Sequence, residues 1–181
     1  METIISILRG INVGKRKVLM TDLKALYEKF GFKEVSTYIQ SGNVVFKTDK
    51  KLTDQQMAEK IEKSLLKQYG FDVPVINRTA KEFNKIGLSN PFLKNKEIDK
   101  SKLHVTFLAN EPEKTNIEAI ERFDYSPDKF IISGAEIFLH IPGSYAETKL
   151  SNNFFETKLK VSATTRNWNT VTKLAELAKA K

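Results

Sequence analysis

The composition of this 181-residue chain is that of an ordinary globular protein. Hydrophobic residues make up 40% and charged residues 29%, which argues against disorder. No apolar run approaches the roughly 20 residues of a membrane-spanning helix, so no membrane partner is expected. The absence of cysteine excludes disulfides and thiolate chemistry, and the acidic start is not that of a signal peptide. These features predict a cytoplasmic protein with one large domain or two small ones.

The net charge of +8 is unevenly distributed along the chain. Residues 1–90 carry 16 basic and 10 acidic side chains, and residues 149–181 carry 7 basic and 2 acidic ones. Residues 91–148 reverse the balance, with 7 basic and 10 acidic side chains. If the two basic ends meet in space, their field favours anionic ligands. The alternative is a solvated lysine-rich surface, which fits most of these lysines.

The first half has the hydrophobic pattern of a β-α-β-β-α-β unit, the ferredoxin-like split βαβ arrangement. Its first strand is almost wholly apolar, which predicts a central place in the sheet. Thr21 or Asp22 is expected to cap the first helix, and Thr53 with Gln56 has capping-box spacing before the second. The predicted strands cover residues 4–8, 34–40, 44–46 and 73–76.

The second half repeats the beginning of this pattern. Strands are predicted at residues 103–108, 130–133 and 136–140, with a helix at 116–123 after the first of them. The stretch YIQSGNVVF at 38–46 aligns without a gap with FIISGAEIF at 130–138, so that a Ser-Gly turn recurs. This recurrence predicts an internal duplication.

The C-terminal part is predicted to be helical. Asn153 with Glu156 has capping-box spacing, and Asn169 or Thr170 would cap the final helix. The predicted fold class is α+β, with two related ferredoxin-like halves, antiparallel sheets and C-terminal helices. The predicted divisions are a ferredoxin-like half with a basic first loop at 1–90, a second related half at 102–148, and a helical segment at 149–181.

Three motifs give the chain a specific family resemblance: LRGINVG at 8–14, TYIQSGNVVF at 37–46 and TTRNWNT at 164–170. With these motifs in this order, the chain resembles the bacterial family catalogued as domain of unknown function 1697 over nearly its whole length. The resemblance implies a bacterial α+β protein built from two related halves, without an established activity. Lys15 and Leu19 stand where many members have glycine and proline, which implies a more basic and less tightly turned first loop.

The connection between the first strand and the first helix is the main candidate binding site. Its glycines permit close backbone approach, its arginine offers a bidentate fork, and its asparagine and lysine offer an amide and a charge. The loop is one residue too short for a Walker A motif, and Arg16 stands where that motif needs Ser or Thr. The alternative is a structural loop, but the equivalent residues 109–113 are acidic and lack glycine, which favours function. The candidate ligand contacts here are Arg9, Gly10, Asn12, Gly14 and Lys15.

Two further segments carry candidate ligand contacts. Gln40 and Asn43 flank the first Ser-Gly turn and do not recur in the second half, unlike the turn itself. Thr165, Arg166 and Asn167 precede the last helix, where free N–H groups favour anions. The alternative for this last segment is a capping and docking role, with the neighbouring tryptophan buried.

The sequence predicts no cofactor, no metal site and no identifiable catalytic group. His104 and His140 lie in predicted strands, without neighbours at metal-ligand spacing. The leading hypothesis is a small anionic or nucleotide-like ligand bound in a cleft near the first loop. A nucleic-acid-binding module is the alternative, although its strand aromatics are missing, and an enzyme acting on an anionic substrate is the second alternative. The oligomeric state is left open.

Overall fold

The computed structural model describes residues 1–180, which divide into two compact units. Among the described residues, unit one contains Met1–Lys85 and residues 173–180, and unit two contains Ile86–Thr172. The predicted boundaries and this division differ in the C-terminal part, where residues 149–172 belong to unit two.

Unit one contains a four-stranded antiparallel sheet with the strand order β2-β3-β1-β4. This is the ferredoxin-like order, and the apolar first strand is central, as predicted. In chain order the elements are β1 (Glu2–Leu8), α1 (Met20–Lys29), β2 (Lys33–Tyr38), β3 (Asn43–Thr48), α2 (Asp54–Tyr69) and β4 (Val75–Thr79), followed by α3 (Ala80–Ser89).

The core of unit one lies between its sheet and the helices α1 and α2. The buried residues of α2 recur at helical spacing and form one apolar stripe, namely Met57, Ile61 and Leu65. The predicted capping box is confirmed, because Thr53 Oγ1 accepts from Gln56 N at 3.2 Å and Gln56 Oε1 accepts from Thr53 N at 3.0 Å. Gly70 ends the helix in the left-handed conformation, with φ at 75°.

The start of α1 corrects the sequence prediction. The residue before the helix is Leu19, which has no side-chain cap, and Thr21 and Asp22 lie within the first turn. The chain entering this helix is held instead by the preceding loop, where Asn12 bonds to both backbone groups of Val18. A side-chain contact from the preceding loop, six residues upstream of Val18, thus replaces the cap that the sequence pattern favoured.

Unit two contains a second four-stranded antiparallel sheet, with the order β6-β7-β5-β8. The predicted fold class of two ferredoxin-like halves with C-terminal helices is therefore confirmed. Short 3₁₀ helices at Pro91–Lys94 and Lys100–Lys102 precede the sheet. The other elements in chain order are β5 (Leu103–Leu108), α4 (Lys114–Glu121), β6 (Lys129–Ser133), β7 (Glu136–His140), α5 (Asn152–Leu159), β8 (Ala163–Asn167) and α6 (Trp168–Lys179), the last of which begins in unit two and continues in unit one from Lys173.

The strand β8 corrects the prediction of a helical C-terminal segment. The sequence Ala-Thr-Thr-Arg-Asn lacks the apolar alternation of a strand, yet it pairs with β5 along its whole length. The cap of α5 also differs from the prediction. Ser151 accepts from Phe154 N at 3.2 Å, while the Glu156 carboxylate accepts from Ala163 N at 3.0 Å and ties the helix to β8.

The register of the two sheets corrects the gapless alignment of the two hairpins. The ends of β1 and β5 correspond, because Leu8 N donates to Gly42 O and Leu108 N donates to Ala135 O, each at 2.8 Å. In unit one Tyr38 pairs with Asn43 across a four-residue loop. In unit two the loop has two residues, since Ser133 pairs with Glu136. The first hairpin therefore has two extra loop residues, which the recurring Ser-Gly pair had concealed.

Candidate functional site

The first loop, residues 9–19 between β1 and α1, folds into a small hairpin. Arg16 N donates to Val13 O at 3.2 Å, and Asn12 N donates to Arg16 O at 2.6 Å. Gly14 has a φ of 58°, whereas the next residue has a negative φ, which is the pattern of a type II′ turn. The second glycine of the sequence motif therefore stands at the tip of the hairpin.

Asn12 organises this loop with its side chain. Its φ of 57° is left-handed, a conformation that asparagine tolerates better than most residues. Its Nδ2 donates to Val18 O at 3.0 Å and to Gln40 O at 2.8 Å, and its Oδ1 accepts from Val18 N at 2.9 Å. Both amide hydrogens are therefore used within the protein, which favours a positioning role over direct ligand contact.

Arg16 is held against the protein rather than at the tip of the loop. Its guanidinium carbon lies 4.9 Å from the centroid of the Phe71 ring, and Nη2 donates to Asp72 O at 2.5 Å. Gly10, with a φ of 68°, leaves room for this arrangement, because a Cβ there would lie 3.0 Å from Arg16 Nη1. The first glycine of the motif thus serves the packing of an arginine.

The turn between β2 and β3 lies next to the first loop. Gln40 is joined to the loop through its carbonyl, which accepts from Asn12, while its side chain is exposed. Asn43 is fully buried, and its Nδ2 donates to Tyr38 O at 3.0 Å and to Ser41 Oγ at 3.1 Å. The structure therefore brings two of the three candidate segments together, with the Asn43 amide serving the turn.

The exposed end of the first loop combines unpaired backbone N–H groups with positive charge. Lys15 and Lys17 are exposed and Arg9 is half-buried. Across the described residues 1–180, the N–H groups of Gly14 and Lys15 find no protein acceptor. The backbone φ is positive at Gly10, Asn12 and Gly14 and negative between them. Such alternation turns successive N–H groups into a concave anion-binding arrangement.

The corresponding connection in the described part of unit two has no glycine, no cation and no left-handed residue. It links β5 to α4 through residues 109–113, two of which are Glu111 and Glu113. In this described stretch no residue has a positive φ. The two loops follow corresponding strands, so the glycines, the cations and the positive φ values are particular to the first loop.

Thr165, Arg166 and Asn167 lie on β8 of unit two. The Thr165 hydroxyl lies 2.7 Å from the Thr106 hydroxyl and donates to Asn152 Oδ1 at 2.7 Å. Asn167 Oδ1 accepts from Thr170 N at 2.8 Å, so it occupies the capping position that was predicted for Asn169 or Thr170. The predicted burial of Trp168 is confirmed. The contribution of this segment to a ligand site stays a prediction.

Arg166 and Arg78 occupy corresponding positions in the two sheets, which sequence reasoning missed. Arg166 pairs with Val105 on the central strand β5, and Arg78 pairs with Ile5 on the central strand β1. Each arginine is 8% exposed, and each donates through Nη1 to the carbonyl of its preceding residue. Burial lowers the pKa of Arg166 to about 10. The shared signal in the sequence is a polar residue, arginine and a second polar residue directly before a helix.

A polar pair sits beside each of these arginines, and it is buried in unit one and partly buried in unit two. Ser6 Oγ donates to Asn77 Oδ1 at 2.5 Å, and Asn77 Nδ2 donates to Asp54 O at 3.1 Å at the start of α2. In unit two Thr106, Thr165 and Asn152 make the same kind of chain from the central strand, through the edge strand, to the start of α5. Neither chain of bonds was foreseen from the apolar pattern.

No group of three or more metal-ligating side chains occurs among residues 1–180. His104 stacks on Tyr145 with the ring centroids 4.7 Å apart, and its burial lowers the pKa of the imidazole, so it is neutral at pH 7. His140 lies 5.8 Å from the Phe92 ring, between centroids. Both histidines thus have aromatic neighbours on or beside their strands.

The side chain of Asn12 permits a direct test of its positioning role. We expect Asn12→Gly to lower the free energy of unfolding by about 1–2 kcal/mol, because it keeps the left-handed backbone and removes three hydrogen bonds. Asn12→Ala should cost about 1 kcal/mol more, since Cβ strains that conformation. Denaturant unfolding measures both, and hydrogen exchange of the Val18 amide should accelerate. Equal stability of wild type and Asn12→Gly would contradict the role.

The comparisons with known proteins agree with this architecture. A model of the family described as "Protein of unknown function (DUF1697)" matches residues 1–138. The chain is similar in structure to "conserved bacterial protein SP0830 from Streptococcus pneumoniae", with a TM-score of 0.79 and 24% identity over 99% of each chain. At that identity the likeness shows a shared fold. No curated protein matches the chain.

Within residues 1–180, every helix is too short or too polar to cross a bilayer. The family match covers most of the chain, including the first loop, the first hairpin, and β5, β6 and the first part of β7 in the second sheet. The chain therefore belongs to the family of proteins of unknown function designated DUF1697.

Proposed function

We propose that the first loop of unit one binds a small anionic ligand, such as a phosphate-bearing metabolite or nucleotide. The carrying observation is the alternating φ of residues 10–15 together with the unpaired N–H groups of Gly14 and Lys15 at the tip. Fixed N–H dipoles bind anions without the entropy cost of ordering long side chains. The exposed Lys15 and Lys17 add attraction from nearby, and Arg9 adds a third cation at the base of the loop.

The roles of the candidate residues divide under this proposal. Gly14 and Lys15 contact the ligand, whereas Asn12 and Asn43 hold the loop and the neighbouring turn in place through bonds that use their amides. The side chain of Gln40, on the same turn, is the further candidate contact from this segment. Gly10 supplies a left-handed backbone position, with a φ of 68°, and leaves room for the Arg16 guanidinium.

The contrast with unit two supports the proposal. We infer that the two halves are copies of one ancestral unit, because they share strand order, polar chains and buried arginines. A connection that only had to join a strand to a helix would not need three left-handed residues in one copy and none in the other. The acidic loop at residues 109–113 repels an anion and serves as the internal control.

An open-sheet nucleic-acid platform is not supported. Side chains on successive β1 residues point to opposite faces, and Ile4, Ile5, Ile7 and Leu8 are all at most 1% exposed. In unit two, Val105 and Phe107 on one face and Thr106 and Leu108 on the other are fully buried as well. A sheet surface on which bases could stack is therefore absent from the described strands β1 and β5. No acid, base or nucleophile stands out in the described loop 9–19, so the proposal is one of binding.

The test is a thermal-shift screen with inorganic phosphate, pyrophosphate and nucleotides at constant ionic strength. A ligand at 100 times its Kd should stabilise the folded chain by about 2.7 kcal/mol. The double variant Lys15→Gln/Lys17→Gln should raise the Kd of that ligand at least tenfold. Lys96→Gln/Lys114→Gln removes the same charge from unit two and should change it less than twofold. The proposal is wrong if no anion stabilises the wild type beyond matched chloride, or if both double variants weaken binding equally.

A further inference from the structure

Strand β6 ends the second sheet with an open edge. It pairs with β7 only, and its side chains alternate between exposed and half-buried. The described structure contains no other hydrogen-bonding partner for residues 129–133. The centre of this edge is apolar, because Phe130, Ile131 and Ile132 follow one another.

The corresponding edge in unit one is protected in ways that this one is not. Strand β2 has an irregular register between Lys33 and Ser36, and Glu34 there has a φ of 51°. Bulges and charges of this kind are standard devices that prevent edge strands from pairing with another chain. Strand β6 pairs with β7 in unbroken register and carries one charge, at Lys129.

Exposed apolar side chains lie beside the open edge. Ile131 is 42% exposed and Phe123 is 67% exposed, and both line a groove of about 360 Å³ that also includes Phe92 and Phe130. Edge, groove and exposed side chains thus belong to one surface of unit two. A surface of this kind on a soluble domain marks a contact site.

We propose that β6 pairs antiparallel with β6 of a second copy of this chain, about a two-fold axis at Ile131, so that the two sheets become one of eight strands. The hairpin determines which backbone groups of β6 point outward. Its two-residue turn makes Ser133 and Glu136 a hydrogen-bonded pair, so Ile131 and Lys129 also direct their backbone groups toward β7. The N–H and C=O groups of Phe130 and Ile132 therefore point outward.

A crossing at Ile131 pairs both of these outward-facing residues within the strand, whereas a crossing at Phe130 or Ile132 would pair one of them with a residue outside it. Phe130 of one copy then exchanges two hydrogen bonds with Ile132 of the other, and the two-fold axis doubles this to four. The side chains are compatible with this register as well. Ile131 meets Ile131 of the second copy, which removes the exposed apolar surface of both from water.

Charge complementarity favours a second copy as the occupant. In this register Lys129 lies opposite Ser133 of the second copy, at the end of the strand where the hairpin turns. The Glu111 carboxylate lies at this turn, since its Oε1 is 3.2 Å from where a Cβ of Gly134 would be. Each end of the paired strands thus brings Lys129 of one copy toward Glu111 of the other, while no like charges face each other across the pair.

The proposed interface buries a small area, so its test must cover a range of protein concentrations. Two five-residue strands with their flanking side chains bury less than the roughly 1,000 Å² of a stable interface. We therefore expect a weak, concentration-dependent dimer. The chain has no cysteine, so single introduced cysteines report the register without background.

The register is tested by cross-linking the full-length chain under mild oxidation. Residues opposite each other in this register have Cα atoms about 4.5 Å apart, within the range of a disulfide. Ile131→Cys should form a disulfide-linked dimer by itself. Lys129→Cys and Ser133→Cys should each stay monomeric alone, because equal residues lie about 14 Å apart, and should cross-link when mixed. Equal cross-linking of all three single variants would show random collision and overturn the proposal.

Sedimentation velocity over a concentration series tests association without cysteines. Ile131→Lys places like charges opposite each other and should weaken the dimer at least tenfold. Leu88→Lys makes the same change at a 78% exposed position of unit two outside this edge and should leave association within twofold of wild type. A wild type that is monomeric at all concentrations overturns the proposal. So would a dimer that tolerates Ile131→Lys, which would place the interface elsewhere.

Discussion

Replacing Gly42 by alanine is expected to destabilise unit one by about 3 kcal/mol, several times the effect of the same change at Gly134. Both glycines have positive φ, 82° and 61°, so both substitutions carry a similar backbone strain of about 1 kcal/mol. Only Gly42 is closely packed. A Cβ there would lie 2.6 Å from Ile11 Cδ1 and 2.9 Å from Leu8 Cβ, whereas at Gly134 the nearest atom is the exposed Glu111 carboxylate at 3.2 Å.

The difference between the two variants isolates the cost of the clash. Overpacking a buried site typically costs about 1–3 kcal/mol, because neighbouring side chains and backbone must shift. Calorimetry of each variant and of the wild type measures the loss of stability that each substitution causes. Similar losses of stability at the two glycines would show that Ile11 moves aside freely, and that the close approach of the turn to the first loop is not required.

Replacing Asn77 by leucine is expected to cost about 2–4 kcal/mol, although leucine is apolar and similar in size. Asn77 is 2% exposed, and its side chain accepts from Ser6 and donates to the Asp54 carbonyl. Leucine leaves the buried Ser6 hydroxyl without its acceptor, which costs about 1–3 kcal/mol, and removes the bond to the Asp54 carbonyl, which costs about 1 kcal/mol more. An argument from hydrophobicity alone predicts the opposite sign.

A second substitution separates the lost bonds from other effects. In Ser6→Ala/Asn77→Leu the orphaned hydroxyl is gone, so the double variant should be less destabilised than the sum of the single ones by about 1 kcal/mol. Thr165→Val in unit two removes the equivalent link between Thr106 and Asn152 and should cost about 1–2 kcal/mol. Additive effects of Ser6→Ala and Asn77→Leu in denaturant unfolding would contradict this account.

The elements that were predicted correctly are those whose signals are local. The apolar run of β1 indicated a central strand, and the stripe of α2 with its capping box indicated that helix and its start. In both cases the pattern that predicts the element lies in the element's own residues or in those next to it, as the spacing of apolar side chains or as a capping motif. The ferredoxin-like order of strands followed because split βαβ connectivity permits few alternatives.

The elements that were predicted incorrectly depend on partners far along the chain. Strand β8 is polar but mostly buried, since its threonines and arginine bond to neighbouring protein groups, and no local pattern reports such partners. The gapless alignment of the hairpins failed because a repeated Ser-Gly pair does not define strand register. Register is set by which residues face each other across the sheet, and here the loop of the first hairpin is two residues longer than that of the second.

The candidate site shows the same division. The sequence alone identified the first loop as the place where the two halves differ in chemistry, with glycine and cations in one and carboxylates in the other. Only the tertiary structure decided what each residue does there: Asn12 joins the loop to the Gln40 turn, Arg16 packs on Phe71, and Lys15 remains at the exposed tip. The physical reason is that composition and spacing specify which groups are available, whereas their use depends on the backbone acceptors and rings that folding brings within reach.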